Sequence, residues 1–226
     1  IKGAAQLLSP IMDNAEDREL LDLIVEETQR VADLVETMES FGQGEAIVPA
    51  PVNIHKVLLR VKTLALAGHA QGIDIKESFD PSLPDVSGDE NLLIQVILNL
   101  VKNAAEALAG TPNPTIWLET RYKHGVQFNL QDGAHITKLP LQVVIRDNGP
   151  GIPEQMKGNL FTPFITSKPK GKGLGLALVS KIVQDLGGVI EVQSEPGRTA
   201  FSLMLQEHKD ALFDEELFAH GLHQQL

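Results

Sequence analysis

This 226-residue sequence contains two asparagines, four residues apart, whose type and spacing could form a binding site. Asn99 and Asn103 lie in a strongly apolar stretch that begins after Asp89. If that stretch is a helix, both carboxamides lie on one face, about one turn apart. Carboxamide oxygens can complete the octahedral shell of a magnesium ion that also binds phosphates. The ordinary alternatives are two surface asparagines or a buried hydrogen-bonded pair.

A carboxylate followed by glycines ends a stretch rich in Val and Ile. Asp147 begins the segment DNGPG, in which Gly149 and Gly151 alternate with other residues. A carboxylate here can accept a hydrogen bond from an exocyclic amine, and the glycines let the backbone approach a flat ligand closely. The same residues would also form an ordinary strand-ending turn in any protein.

Three glycines alternate with other residues just before a predicted helix. Gly171, Gly173 and Gly175 free the backbone amides, and a following helix N-terminus favours an anion. The segment matches neither the Walker pattern nor a Rossmann fingerprint, and a flexible hinge is the alternative interpretation. Just upstream, the aromatic segment FTPFITSK ends in Lys168, which could reach a phosphate or could simply be solvated.

The order and separation of these segments are more specific than any one of them. Together they resemble the N, G1, F and G2 boxes in the catalytic and ATP-binding domain of sensor histidine kinases, over about residues 52–206. That domain belongs to a group shared with Hsp90, MutL and type II topoisomerases. The segments IKGAAQLL, RDNGPGIP and FTPFITSK, and a hairpin-like segment over 122–141, are similar to nitrogen-regulation sensor kinases of the NtrB type.

The resemblance implies a role for each matching residue. Asn103 would ligate Mg²⁺ bridging the ATP phosphates, Asn99 would support that metal site, and Asp147 would bind the adenine amino group. Asn99 and Lys168 are the implied catalytic residues. The implied nucleotide contacts are Asn103, Asp147, Gly149, Gly151, Lys168, Gly171, Lys172, Gly173, Gly175 and Thr199.

The resemblance also implies a reaction and partners. The γ-phosphoryl group of ATP would pass to a histidine and then to an aspartate of an NtrC-like response regulator, with possible phosphatase activity toward that regulator. The acceptor histidine is expected before Ile1, so none of the seven histidines present is assigned to it. A homodimer and a PII-type signal protein are the other implied partners.

Two other functions remain open. One is an ATPase of the Hsp90 and MutL kind, in which a Glu generally activates water one turn before the metal-binding Asn. Here that position is Asn99, which disfavours steady hydrolysis. The other is a non-catalytic, ATP-gated dimer module that binds regulators.

The elements that must position these residues alternate between helical and strand patterns. The predicted helices are 53–67, 89–108 and 174–186, and the predicted strands are 73–79, 115–120, 126–130, 141–146, 189–193 and 200–205. This order indicates an α+β fold, a two-layer sandwich with helices on one face of a mixed sheet. The resemblance names it as the Bergerat-type ATP-binding fold.

Charge and composition divide the chain further. Residues 1–44 predict a partial helical hairpin that dimerises into a four-helix bundle, 45–52 a linker, 53–206 the ATP-binding domain and 207–226 an acidic tail with helical spacing. Residues 1–52 carry 3 basic and 11 acidic side chains, 53–206 carry 15 and 14, and 207–226 carry 1 and 5.

The net charge of −11 argues against nucleic acid as a partner, and no apolar run reaches the roughly 20 residues of a membrane span. The lack of cysteine is compatible with a reducing compartment, and the resemblance to NtrB-type kinases implies a cytoplasmic location.

Overall fold

The computed structural model describes residues 20, 21, 23–25, 28, 48–125, 127–129, 136–166 and 173–209. The chain divides into two compact units, Ile1–Glu45 and Ala46–Leu226. In the first unit the described residues are helical, between Leu20 and Thr28. The predicted four-helix bundle otherwise falls outside the described residues.

A five-stranded mixed sheet organises the second unit. Its strand order is β2-β4-β7-β9-β8, in which β2 and β4 are parallel and the other neighbours are antiparallel. Two further antiparallel pairs, β1 with β3 and β5 with β6, lie outside this sheet. The strands are β1 (Ala50–Val52), β2 (Asp74–Ser78), β3 (Val86–Gly88), β4 (Thr115–Tyr122), β5 (Gln127–Asn129), β6 (Ile136–Lys138), β7 (Leu141–Asp147), β8 (Val189–Glu195) and β9 (Arg198–Leu205).

In the described part of this unit, four helices accompany these strands: α1 (Ile54–Ala67), α2 (Glu90–Ala107), the short α3 (Glu154–Lys157) and α4 (Gly175–Asp185). The first two have side-chain caps at their N-termini. The Asn53 side chain accepts a hydrogen bond from the backbone of Lys56, and the Asp89 side chain accepts two from the first turn of α2. Each cap satisfies amides that the helix leaves unpaired at its N-terminus.

The core lies between the sheet and the helices, and α2 packs against both α1 and α4. Apolar residues from the buried faces of α2 and β7, including Leu93, Leu100, Val143 and Ile145, are almost fully excluded from solvent. The predicted α+β class and two-layer sandwich are therefore confirmed. Among the described helices, none has the length and apolar character that crossing a bilayer requires.

The structure differs from the predicted boundaries at both ends of this unit. Part of the predicted linker forms β1, which pairs with β3, a strand that the sequence pattern did not reveal. At the other end, Glu207 pairs with Val86, and the amide of His208 donates to the carbonyl of Asp85. The predicted strand 126–130 lies outside the main sheet, as β5 of a separate hairpin.

Candidate functional site

Asp147 occupies the last position of β7, at one end of the sheet. Its neighbours across the sheet are Ile116 on β4 and Thr199 on β9. The residue is only 3% exposed, and its Oδ1 accepts a hydrogen bond of 2.8 Å from the amide of Gly149. A buried carboxylate with a single described hydrogen-bond donor retains capacity for further donors.

The turn that follows Asp147 is tied to the surrounding strands. Asn148 Oδ1 accepts from the Thr115 amide at 2.8 Å, and the Gly149 carbonyl accepts from the Gly197 amide at 3.0 Å. Gly151 has a φ of +86°, and a Cβ there would lie 2.7 Å from the Glu195 carbonyl oxygen. Only glycine fits this position, because a side chain would be strained and would also collide with the neighbouring backbone.

A row of hydroxyl groups connects this turn to Asp147 from the other side. Ser194 on β8 lies opposite Thr199, and their hydroxyl oxygens are 3.0 Å apart. The Ser194 hydroxyl also accepts from the Ile152 amide at 2.8 Å. The sequence analysis singled out Thr199 but missed Ser194, because its relevance depends on strand register rather than on local pattern.

Burial raises the pKa of Asp147 above the usual value for a carboxyl group, since the surroundings disfavour the charged form. The Gly149 amide and the nearby charge of Arg146 both act in the opposite direction. A donor from a ligand would stabilise the carboxylate further. A perturbed carboxyl in a tightly held turn is a reasonable indicator of a functional site.

The asparagines lie on α2, whose C-terminal end contacts the Asp147 turn. A Cβ on Gly149 would lie 3.5 Å from the Ala107 carbonyl oxygen. With a rise of about 1.5 Å per residue, Asn103 is about 6 Å and Asn99 about 12 Å along α2 from Ala107. The helix therefore arranges the carboxylate turn and the two carboxamides in one line.

The N-terminus of α4 marks the far end of that line. Asn99 Nδ2 donates to the Gln95 carbonyl, and Asn99 Oδ1 lies 3.4 Å from where a Cβ on Gly175 would be. Leu174 occupies the cap position of α4 and provides no side-chain hydrogen bond to the first turn. Among the described residues, no side chain at the cap position satisfies the first amides of α4 beside Asn99, and a helix N-terminus of this kind favours an anion.

Asn103 lies between these two ends and is half-buried. Among the described residues, no three His, Asp or Glu side chains lie close enough together to hold a metal. The predicted Mg²⁺ would therefore find neutral carboxamide oxygens here, which are hard donors of the kind that it accepts together with phosphate and water oxygens. The donor set fits a metal that arrives with a phosphorylated ligand.

Gly173 precedes α4 and contacts the backbone of the aromatic segment at Phe164. Its carbonyl accepts from the Phe164 amide at 2.9 Å, and a Cβ on Gly173 would lie 2.5 Å from the Phe164 carbonyl carbon. Phe164 itself has a φ of +67° and is 69% exposed. Three other predicted contacts, Lys168, Gly171 and Lys172, lie outside the described residues.

The comparisons with known proteins agree with this geometry. The family model described as histidine kinase-, DNA gyrase B- and HSP90-like ATPase matches residues 88–209, more than half of the chain. Among solved structures, full-length ShkA in complex with AMPPNP has a TM-score of 0.69 and 26% identity, over 93% of this chain and 43% of that one.

Two curated relatives with the same name show the likeness in sequence. The sensory histidine kinase/phosphatase NtrB of Rhizobium leguminosarum bv. phaseoli is 46% identical over 95% of this chain and 56% of its own length. That of Azospirillum brasilense is 48% identical over 95% of this chain and 52% of its own length. The chain thus spans about half the length of the curated relatives that it matches.

Proposed function

Because this chain belongs to the family of histidine kinase-, DNA gyrase B- and HSP90-like ATPases, we propose that it is the ATP-binding part of a sensor histidine kinase. The resemblance to the NtrB type is confirmed by curated relatives that are 46–48% identical. The proposed reaction transfers the γ-phosphoryl group of ATP to a histidine of the whole protein and then to an aspartate of an NtrC-like response regulator.

The observation that carries this proposal is the line along α2. The buried Asp147 carboxylate, the carboxamides of Asn103 and Asn99, and the N-terminus of α4 follow one another in the order that base, metal and phosphates would take. The separation of about 12 Å between Ala107 and Asn99 suits an extended nucleoside triphosphate. No single element of the fold could provide all three groups.

Each residue then has a defined task. The Asp147 carboxylate accepts from the adenine amino group, while Gly149 and Gly151 leave room for the ring. Asn103, supported by Asn99, holds Mg²⁺, which supplies positive charge to the phosphates when it is bound. The first amides of α4 orient the terminal phosphate, and Lys168 is the proposed side-chain cation there. Such charge placement and orientation are the main contributions that proteins make to phosphoryl transfer.

Steady ATP hydrolysis is the competing function. A hydrolase needs a group near the phosphates that can accept a proton from water. The residue one turn before Asn103 is Asn99, whose amide donates to the Gln95 carbonyl and has no basic site of useful pKa. We therefore favour transfer to a protein side chain over transfer to water.

A chain extended toward its N-terminus through the acceptor histidine tests the proposal. The extended protein, incubated with Mg²⁺ and γ-labelled ATP, should become labelled on histidine and pass the label to an NtrC-like receiver. The Asn103→Ala variant of the same protein is the control and should remain unlabelled. Rapid phosphate release without protein labelling would instead support the ATPase, and tight ATP binding with neither would support a non-catalytic module.

The remaining partners follow from the same resemblance. We propose that the first unit forms a homodimer through its helical hairpin, and that a PII-type protein adjusts the balance between kinase and phosphatase activity. Analytical ultracentrifugation of this chain addresses the first point. Retention on an immobilised PII-type protein, with and without ATP, addresses the second.

A further inference from the structure

The sheet face opposite the helices carries an open polar trough that the proposed ATP site does not use. It has a volume of about 500 Å³ and crosses β4, β7, β9 and β8. Its charged lining consists of Glu119, Arg121, Lys123, Arg146, Glu191 and Arg198. We call this surface the basic trough, because four of these six charges are positive in a chain whose net charge is −11.

A network of charges organises one side of the basic trough. The Glu119 side chain is 10% exposed and is held by Arg146 at 2.9 Å and by Arg121 at 2.6 Å. The Arg146 guanidinium also lies 3.8 Å above the ring of Trp117. Burial of one carboxylate between two arginines leaves a net positive charge, since two cations share a single anion.

The other two cations extend this positive charge across the trough. Lys123 and Arg198 are exposed and, within the described part of the chain, neither forms an ion pair or hydrogen bond through its side chain. Exposed cations around a buried, partly neutralised centre form a surface that attracts carboxylates. The trough contains few apolar groups, so an acidic segment fits it better than an apolar one.

The chain itself contains such a segment beyond the described residues. Residues 210–226 include Asp210, Asp214, Glu215 and Glu216 and contain no Lys or Arg. The described chain reaches Lys209 beside the end of β4, where the Glu207 carboxylate lies 3.4 Å from the Tyr122 hydroxyl. Tyr122 is adjacent to Lys123, and the seven residues that carry the acidic side chains can span about 23 Å when extended, so the Lys123 end of the basic trough is within their reach.

We propose that the acidic carboxyl-terminal segment, residues 210–226, docks in the basic trough of its own molecule. The four acidic side chains lie within its first seven residues, and they complement a trough whose four cations outnumber its two carboxylates. Because the segment is tethered, its local concentration at the trough is in the millimolar range, and weak ion pairs suffice to hold it. This inference does not depend on the proposed kinase activity.

Disulfide trapping in the full 226-residue chain tests the docking directly, because the natural sequence contains no cysteine. Lys123→Cys combined with Glu215→Cys should form an intramolecular disulfide about tenfold faster than Asn91→Cys combined with Glu215→Cys. Asn91 is a stringent control, since it is exposed and lies close to β3, the strand that pairs with Glu207. Lys123 follows Tyr122, which Glu207 also contacts, so random motion of the tail would give the two pairs similar rates.

A charge reversal separates electrostatic docking from chance proximity. In the trapping pair, Arg121→Glu should slow the disulfide several-fold, and adding Asp214→Lys should restore the rate, because Arg121 lines the trough two residues from Lys123 and the contact is a screened ion pair. Equal rates for the two cysteine pairs, no response to Arg121→Glu, or disulfides only between two molecules would each overturn the proposal. Far-UV circular dichroism of each variant verifies that the sheet is intact.

Discussion

At the Asp147 end of the site the backbone is tied to neighbouring strands, whereas at the Asn103 end the groups stand on helix faces and at a helix terminus. The turn from Asp147 to Ile152 is held by side chains of Asn148 and Ser194 and by the Gly197 amide. Among the described residues, none forms a hydrogen bond with the Asn103 side chain. The first end has a fixed shape before any ligand arrives, and the second offers donors and acceptors that a ligand completes.

This contrast matches what each end must recognise. A purine ring is flat and rigid, so a preformed turn with a buried acceptor can select it at low cost in ordering. A magnesium triphosphate brings its own charge and water, so neutral carboxamides and backbone amides are sufficient partners. Variants at the two ends should therefore fail in different ways.

The largest effect is expected at the metal end. Asn103→Ala should lower Mg²⁺-dependent ATP affinity by about 100-fold, because a ligand oxygen is removed from the shared metal. Binding of ATP in the presence of EDTA should change much less. Isothermal titration with and without Mg²⁺ measures both quantities. Asn91→Ala, at an exposed position of the same helix, should behave like the natural chain; equal losses in both variants would count against a metal role.

A steric change should damage the other end through the fold rather than through the metal. Gly151→Ala combines a positive φ with a Cβ 2.7 Å from a backbone oxygen, whereas Gly197→Ala has a similar φ and no atom within 4 Å. We expect a loss of about 2–5 kcal/mol in the free energy of unfolding for the first and about 1 kcal/mol for the second.

Urea unfolding of the two glycine variants separates the cost of a positive φ, which both share, from the cost of the backbone collision, which only Gly151→Ala has. ATP titration of the folded variants then measures the effect on binding. Gly151→Ala should also weaken ATP binding by at least about tenfold, since the turn that shapes the ring site is displaced. Similar stabilities for the two variants would show that the neighbouring backbone yields easily, contrary to a rigid turn.

Acidity should affect the two ends unequally. Burial raises the pKa of Asp147, and an adenine amine favours its ionised form. ATP affinity should therefore increase as pH rises through this pKa, by about tenfold per unit at most, with release of a proton on binding. Asp147→Asn should make the affinity nearly independent of pH over that range. A pH response that persists in this variant would assign the titration to another group.

The raised pKa of Asp147 makes the stability of the unliganded chain change with pH in the opposite direction to its ATP affinity. The neutral Asp147 carboxyl tolerates burial, so its favourable contribution is fully present below the unfolded pKa of about 3.9 and is lost as pH rises through the raised value. Asp147→Asn should therefore gain stability relative to the natural chain as the pH increases. Thermal unfolding at a series of pH values provides this comparison.

The smallest effect is expected at Ser194. Removing its hydroxyl deletes the acceptor for the Ile152 amide and the partner of Thr199. Ser194→Ala should weaken ATP binding about 2–10-fold, and Ser194→Thr should restore it. Ser202→Ala, which removes a hydroxyl from the opposite face of the sheet, serves as the matched control and should leave ATP affinity unchanged.

The sequence predicted most of the helices and the Asp147 turn because their signals are local. Asn53 and Asp89 cap helices where their positions before apolar periodic stretches indicate it. The Val- and Ile-rich pattern over 141–146 likewise predicted the strand that Asp147 ends, and with it the position of a carboxylate that could accept a hydrogen bond. These features depend on residues within a few positions of one another.

Features that depend on register or on distant pairing could not be predicted in the same way. Ser194 lies opposite Thr199 only because of the register in which β8 and β9 pair. The three residues of β3 are too few to show a strand pattern in the sequence, and the strand is recognised only through its pairing with β1. The approach of Asn99 to Gly175 needs the packing of α2 against α4. Nothing local to either residue encodes that contact.

The assignment of adenine to the Asp147 end and of Mg²⁺ to the Asn103 end is tested most directly by a set of titrations. ATP and inosine triphosphate are titrated into the natural chain and into Asp147→Asn, each with and without Mg²⁺. Inosine carries a carbonyl where adenine carries its amine, so the natural chain should prefer ATP by about 10-fold or more. Asp147→Asn, which presents both a donor and an acceptor, should lose that preference and keep its dependence on Mg²⁺. An unchanged preference for ATP in Asp147→Asn would contradict the assignment of the adenine end to this carboxylate.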